Sequence, residues 1–316
     1  MKLRNAGLIF DIRSFKPFSQ YTHAQSPQLL RVGEVNRIYF SARPLVRVGE
    51  LPRTEVLFVE FDSSFKEVVD FSRTPVINQS PLGSYDEHGI FPFHVSIVDN
   101  RLYGYISGWS RRRAVAVETA IGISESTDGG VTFHRLGDGP ILTSSLNEPF
   151  LVGDPFVTRH DNGYVMLYIA GTAWKATENE EDLQRVYKIR LALSEDGVSW
   201  NPLLKSVIPD LIGSDECQAL PSVSMKKNRY IMSFCYREMS NFRTNGKGAY
   251  QLGFASSSDL QNWTRNDSLV EIGEHKSEWD SGMRCYPNIN SINERIVILY
   301  NGNDFGKHGF GLAIED

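Results

Sequence analysis

The sequence has little of what marks a secreted, membrane-spanning or nucleic-acid-binding chain. Its three cysteines, Cys217, Cys235 and Cys285, are an odd and widely spaced set with no CxxC pair. They offer no disulfide framework and read as reduced, packed thiols of a cytoplasmic protein. Basic residues are in the minority, 33 against 38 acidic ones for a net charge of -5. A protein that grips a phosphate backbone normally shows the opposite balance, so nucleic acid is not an expected partner. No apolar run approaches transmembrane length, and the longest, such as Ile296–Tyr300, are strand-sized. The opening MKLRNAGLIFDIRSF has no unbroken apolar region and no small-residue cleavage site, so no signal peptide is expected. Helical periodicity is nearly absent, with residues 179–186, inside a charged insertion, as the best candidate.

Motifs for cofactors are missing too. No GxSxG or Walker pattern occurs, and GKHGFG from Gly306 lacks the strand–turn–helix setting of a dinucleotide site. His23, His88, His94 and His308 show no HxH or HExxH spacing. Neither a cofactor nor a metal is expected. What remains is an ordinary folded composition, 41% hydrophobic and 22% charged, in 316 residues. That length can bury a core without staples.

A repeat fills this length. Five segments share a proline, a short apolar strand, a polar turn and a second strand rich in Tyr and Phe. The anchoring prolines are Pro27, Pro92, Pro155, Pro221 and Pro287, spaced 65, 63, 66 and 66 residues apart. Between them, turns at Asp62, Asp128, Asp196 and Asp259, each followed by an aromatic, mark a third-to-fourth strand hairpin. Four antiparallel strands repeated radially are propeller blades. The expected fold is therefore all-β, a five-bladed β-propeller spanning 1–316 as one domain. The chain stops after the fifth blade's third strand, GFGLAIE, so the N-terminal LRNAGLIFDI is expected to supply the outer strand and close the ring.

The antiparallel pattern brings the residues before each proline and after each second strand to one end, around one funnel. Those positions are polar. Carboxylates stand there at Asp154, Glu216, Glu87, Asp86, Asp215 and Asp280. Two carboxylates across a bond, one protonated and one ionised, are the apparatus of glycoside cleavage. Trp109 and Trp174 suit the apolar face of a sugar ring. Arg43, Arg237 and Arg284, together with His94, His308 and Glu87, complete the expected substrate contacts. The arginines suit a small saccharide or activated sugar that carries negative charge. The bland readings stand beside these: His94 as a channel residue, the run Arg111–Arg113 as a solvated loop, and Asp86, Glu87, Asp215 and Asp280 as blade-to-blade acceptors.

The segment GDPFVTRHDNGYVMLYIAG from Gly153 resembles the third-blade segment of the five-bladed propeller glycosidases, glycoside hydrolase families 32, 43, 62, 68 and 130. DECQALPSV from Asp215 resembles their fourth-blade segment, and the SEDGVSW turn is common among them. The chain is also similar to uncharacterised relatives from bacterial surface-polysaccharide loci. The resemblance implies a glycoside hydrolase, with Asp154 stabilising the transition state and Glu216 as general acid. Families 32 and 43 carry an acid before the first-blade proline, where this chain has HAQSP. Asp11 would have to reach in from the closing strand as base. Without a base, the resemblance points to a phosphorylase using inorganic phosphate, as in family 130. A non-catalytic glycan or nucleotide-sugar binding propeller in polysaccharide biosynthesis is the remaining alternative.

Overall fold

The computed structural model describes all residues except 47–52, 162, 178–179, 244–245, 247 and 275–277, and leaves out the side chains of 180–182. The first strand, β1 (Lys2–Asp11), precedes four blades built in sequence order. Blade one is β2 (Tyr21–Val32), β3 (Val35–Pro44), β4 (Glu55–Phe61) and β5 (Val68–Phe71). Blade two is β6 (Ile90–Val98), β7 (Arg101–Ser110), β8 (Glu118–Ser126) and β9 (His134–Arg135). Blade three is β10 (Val152–His160), β11 (Gly163–Thr177), β12 (Glu180–Ser194) and β13 (Asn201–Ser206). Blade four is β14 (Cys217–Lys226), β15 (Arg229–Arg237), β16 (Gln251–Ser257) and β17 (Thr264–Arg265), and the two-residue β18 (Glu271–Ile272) follows it. Blade five is β19 (Cys285–Ile292), β20 (Arg295–Asn301), β21 (Gly309–Glu315) and, as its outer strand, β1.

The closing strand is where the sequence places it. β1 runs antiparallel to β21 from Leu3 opposite Glu315 to Asp11 opposite Gly309, and its far edge takes β18 in parallel. First and last segments of the chain are thereby locked into one sheet, which removes the edge that an open fifth blade would expose. The first strands β2, β6, β10, β14 and β19 touch in a ring around the axis, and each contains its anchor proline.

Each blade is buried on both faces because it packs between two others. Middle strands accordingly read as unbroken apolar runs, as in Val165–Ala170 of β11 and Ile296–Tyr300 of β20, all buried. The outer hairpins are held by their aspartates. Asp128, Asp196 and Asp259 each accept two backbone amides of the turn, for example Val198 N at 2.8 Å and Ser199 N at 2.7 Å on Asp196. The following Trp200 and Trp263 indoles donate to Gly197 O and Leu260 O. These amides hold the Asp196 carboxyl down at about 2.

Of the stretch read as helical, Asn179 lies outside the described residues and the remainder is strand. Residues 180–186 belong to β12, which pairs with an elongated β11 well beyond the level where its neighbours end, with Trp174 opposite Arg185 and Lys175 opposite Gln184. Pairing with β11 overrides the local charge-rich pattern.

Candidate functional site

A shared irregularity at each anchor builds the funnel. The residue before the proline has a left-handed backbone in four blades: Ser26 (φ 53°), Asp154 (φ 51°), Leu220 (φ 49°) and Tyr286 (φ 56°). In blade two the Phe91–Pro92 bond is cis. Pairing of first and second strands slips at the same place in all five, as between Gly153 and Phe156. Such a bulge turns one side chain out of the alternation. The turned-out residues meet one another: the Phe91 and Tyr286 rings are 5.2 Å apart, and Leu220 N donates to Asp154 Oδ2 at 3.1 Å.

Asp154 is the single carboxylate among these five pre-proline residues. It is 8% exposed, and its own N–H donates to Ser107 Oγ at 3.2 Å. Burial pushes its carboxyl up to about 7, against the smaller opposing effects of the Leu220 amide and the Arg185 charge. A carboxylic acid poised near neutrality is what proton transfer at neutral pH needs.

The other two expected catalytic acids are not brought to it. Asp11 lies on the outermost strand of blade five, about 14 Å of sheet away from the innermost strand at roughly 4.8 Å per strand. Its carboxylate is gripped by Arg13 through Nε at 2.9 Å and Nη2 at 2.7 Å, which holds its pKa below the ordinary range. Glu216 is 1% exposed and fully bonded. Its Oε1 accepts Gln218 Nε2 (3.0 Å) and Arg265 Nη1 (2.6 Å), and its Oε2 accepts Leu211 N (2.8 Å) and Ile212 N (3.1 Å). Burial alone would raise its pKa, but the four donors together lower it. That is the reverse of what a proton donor requires.

The same device recurs in other blades. A carboxylate five to seven residues ahead of the anchor proline pairs with an arginine: Asp86 with Arg135 (2.5 Å), Glu148 with Arg190 (2.9 Å) and Asp280 with Arg284 (2.9 Å). The acid before the anchor is a structural repeat, and Glu216 is its blade-four copy. Arg284 is consumed by it, since it also donates to Ile272 O and Gly273 O. Glu87 accepts Gly83 N (2.7 Å) and Asp215 pairs with Lys175 (2.7 Å).

The first-blade position is closed rather than acidic. Ser26 is fully buried, its N–H on Asn301 Oδ1 (2.8 Å). The turn Asn303–Gly306 folds over it, with Gln25 Nε2 donating to Phe305 O at 2.6 Å and Arg43 Nε to Gln25 Oε1 at 3.0 Å. His308, just beyond, accepts Ile12 N through its carbonyl (3.3 Å).

His94 serves the axis. Its Nε2 lies 3.2 Å from Val157 O and its Nδ1 3.3 Å from Gln28 Oε1, tying three first strands, and Asn288 continues the belt from Gln28 to Ser222. Burial pushes its imidazole down to about 4, so it is neutral. His94→Ala is expected to cost about 2–4 kcal/mol in urea unfolding through the cavity and the lost bonds. KM should stay unchanged; a KM rise of tenfold or more at retained stability would instead assign His94 to the ligand.

Trp109 donates to Thr54 Oγ1 (2.8 Å) with the His88 ring tilted against it at 5.2 Å, and Trp174 packs against the cluster that joins blades three and four. Sequence reasoning missed a chain of aromatic contacts: Tyr187 and Tyr250 share a hydroxyl contact at 2.6 Å, and Tyr250 lies 5.6 Å from Tyr286 and 6.2 Å from Phe305. Tyr286 was legible from its place before Pro287. Tyr187 and Arg185 were hidden in or beside the stretch read as helix. Among the described residues no three His, Cys, Asp or Glu side chains are grouped to hold a metal ion, and no helix is long and apolar enough to cross a membrane.

The fold is a five-bladed β-propeller, an architecture shared with solved glycoside hydrolases. The solved BT0996–RGII complex is similar over 99% of this chain and 91% of its own, at a TM-score of 0.74 and 16% identity. A thermostable family-43 glycoside hydrolase matches 93% and 89% at 0.63 and 12%. A structure from the GH130 family of mannoside phosphorylases, which contains glycoside hydrolases that target β-1,2 mannosidic linkages in Candida mannan, matches 93% and 84% at 0.66 and 12%. In sequence, the chain is similar to the uncharacterised proteins MT1551 and Rv1502 of Mycobacterium tuberculosis strains CDC 1551 and H37Rv. Each is 29% identical over 310 residues, covering 96% of this chain and 97% of theirs. No protein-family model matches the chain.

Proposed function

We propose that this protein is a carbohydrate-active enzyme that cleaves or transfers a glycosidic or activated-sugar bond with one carboxylic acid, Asp154. The observation that carries this reading is a buried acid with a pKa of about 7 at a bulge of the innermost strand. In its protonated form Asp154 would deliver a proton to the departing oxygen as the sugar's anomeric carbon gains positive character. Glu216 is assigned to the fold instead. The pre-proline residues hold no second carboxylate to activate water, so the attacking group comes from solution. This favours inorganic phosphate over a base-activated water within the same reading.

The test is product analysis. Incubation with a panel of oligosaccharides and sugar nucleotides, with and without inorganic phosphate, is expected to yield a sugar 1-phosphate that depends on phosphate. A free reducing sugar formed equally without phosphate would make the enzyme a hydrolase. No turnover of any glycan or activated sugar would leave a binding propeller, a reading favoured by the apolar Phe91–Tyr286 ring contact at the pre-proline positions.

A further inference from the structure

Three lysine or arginine residues are buried among the described residues, and two have acids beside them: Arg37 with Glu60 and Lys188 with Asp210. The third, Arg237, ends β15 opposite Cys217 and is 1% exposed, yet no described carboxylate lies within ion-pair reach. Its Nη1 donates to Glu238 O (2.7 Å) and Met239 O (2.9 Å). Its flat face lies 3.5 Å from the Phe242 ring, with Tyr187 at 5.3 Å and Tyr250 at 5.4 Å. Its Nε has no partner at all.

A buried guanidinium without a counter-anion is costly, and ring faces and carbonyl dipoles offset only part of that cost. Elsewhere this fold sets an acid beside each such side chain. Here the carboxyl of Asp154 is raised by burial to about 7, and Arg185 and Arg43 add positive charge without a described carboxylate partner. An incoming oxyanion would complete Arg237 at the unpartnered Nε edge, in the planar geometry that guanidinium offers to phosphate and carboxylate.

We propose that Arg237 is the floor of an oxyanion subsite in the funnel, so that a reactant of this protein carries a phosphate or carboxylate group. The inference rests on the funnel being the place where Asp154 acts. It adds the chemical class of what binds beside it. Two sources share this chemistry: inorganic phosphate as co-substrate, and an acidic group on the saccharide itself.

Titration calorimetry on the full chain at matched ionic strength separates them. The probes are inorganic phosphate, D-glucose 6-phosphate, D-glucuronate and, as neutral control, D-glucose. At least one anion is expected to bind, with glucose weaker by about tenfold or more. Arg237→Met should weaken that anion by about 10- to 100-fold, the worth of a charged hydrogen bond. Arg237→Lys, which keeps the charge and loses the fork, should fall between and serves if the methionine variant does not fold. Binding of phosphate alone assigns the subsite to a co-substrate; binding of a sugar anion but not phosphate assigns it to the saccharide. Asp154→Asn should bind the anion within about threefold of wild type, because it abolishes the proton donor and leaves the guanidinium in place. No anion binding to wild type, or equal binding by the Arg237 variants, overturns the subsite while leaving the Asp154 reading to its own test.

Discussion

Asp154→Asn is expected to lose turnover and gain stability, and the gain should depend on pH. A general acid contributes about 10²- to 10⁴-fold to rate, so kcat should fall by that order while ligand binding persists. In the wild type kcat/KM should decline above about pH 7, as the proton to be donated is lost. The stability effect has the opposite sense. The folded carboxyl titrates at about 7 against an ordinary 3.8. Between those values the unfolded chain has released its proton and the folded one still holds it. The folded state is therefore favoured less and less as pH rises through that window. At about 1.4 kcal/mol per pH unit, the gap corresponds to roughly 4 kcal/mol above pH 7. Asparagine removes this penalty and keeps an oxygen for the Leu220 amide. Urea unfolding should show both proteins equally stable near pH 4 and the variant ahead at pH 8. A variant that turns over at the wild-type rate, or that is no more stable at pH 8, removes Asp154 from the acid role.

Glu216→Ala should do the reverse: a large loss of stability with little loss of turnover per folded molecule. Truncation strips Arg265, whose side chain is 5% exposed, of one of its two acids, Asp267 remaining. It also strands the Leu211 and Ile212 amides and Gln218. Breaking a buried pair of this kind costs about 3–5 kcal/mol. Because the donors depress the Glu216 pKa, the stability it adds is present above its unfolded pKa and fades as pH falls through the folded one. Turnover should stay within a few-fold of wild type in Glu216→Gln, which keeps the shape. A drop of a hundredfold or more in that variant, with unchanged unfolding, would restore Glu216 as proton donor. The pair of variants thus separates two acids that stand in similar places in the repeat.

Much of the fold was legible because its signals are local. A proline at each strand entry, an Asp at each outer turn and Tyr- and Phe-rich second strands are read within a few residues. Closure by β1 followed from counting strands. The candidate site was legible only in part. Asp154 could be found because its position before an anchor proline is itself local. Glu216 could not be sorted from it, since both are acids near the start of a first strand and their difference lies in partners. One partner, Arg265, is 49 residues further along the chain. The stretch 179–186 was read as helix because its charge-rich pattern resembles an exposed helix, and only the lengthened β11 opposite makes residues 180–186 strand.

By itself, then, the sequence determined the architecture: repeat length, blade count, strand order and the one strand shared between the two ends. These depend on the anchor prolines, short apolar runs and turn chemistry, which act over short distances. The tertiary structure alone decided which charges are paired. Burial raised Asp154 while four donors lowered Glu216, Arg13 paired Asp11 on the outer strand, and Arg237 was left buried without a described acid. A carboxylate's proton affinity and an arginine's need for an anion are set by the groups within a few ångströms, and those arrive from distant parts of the chain.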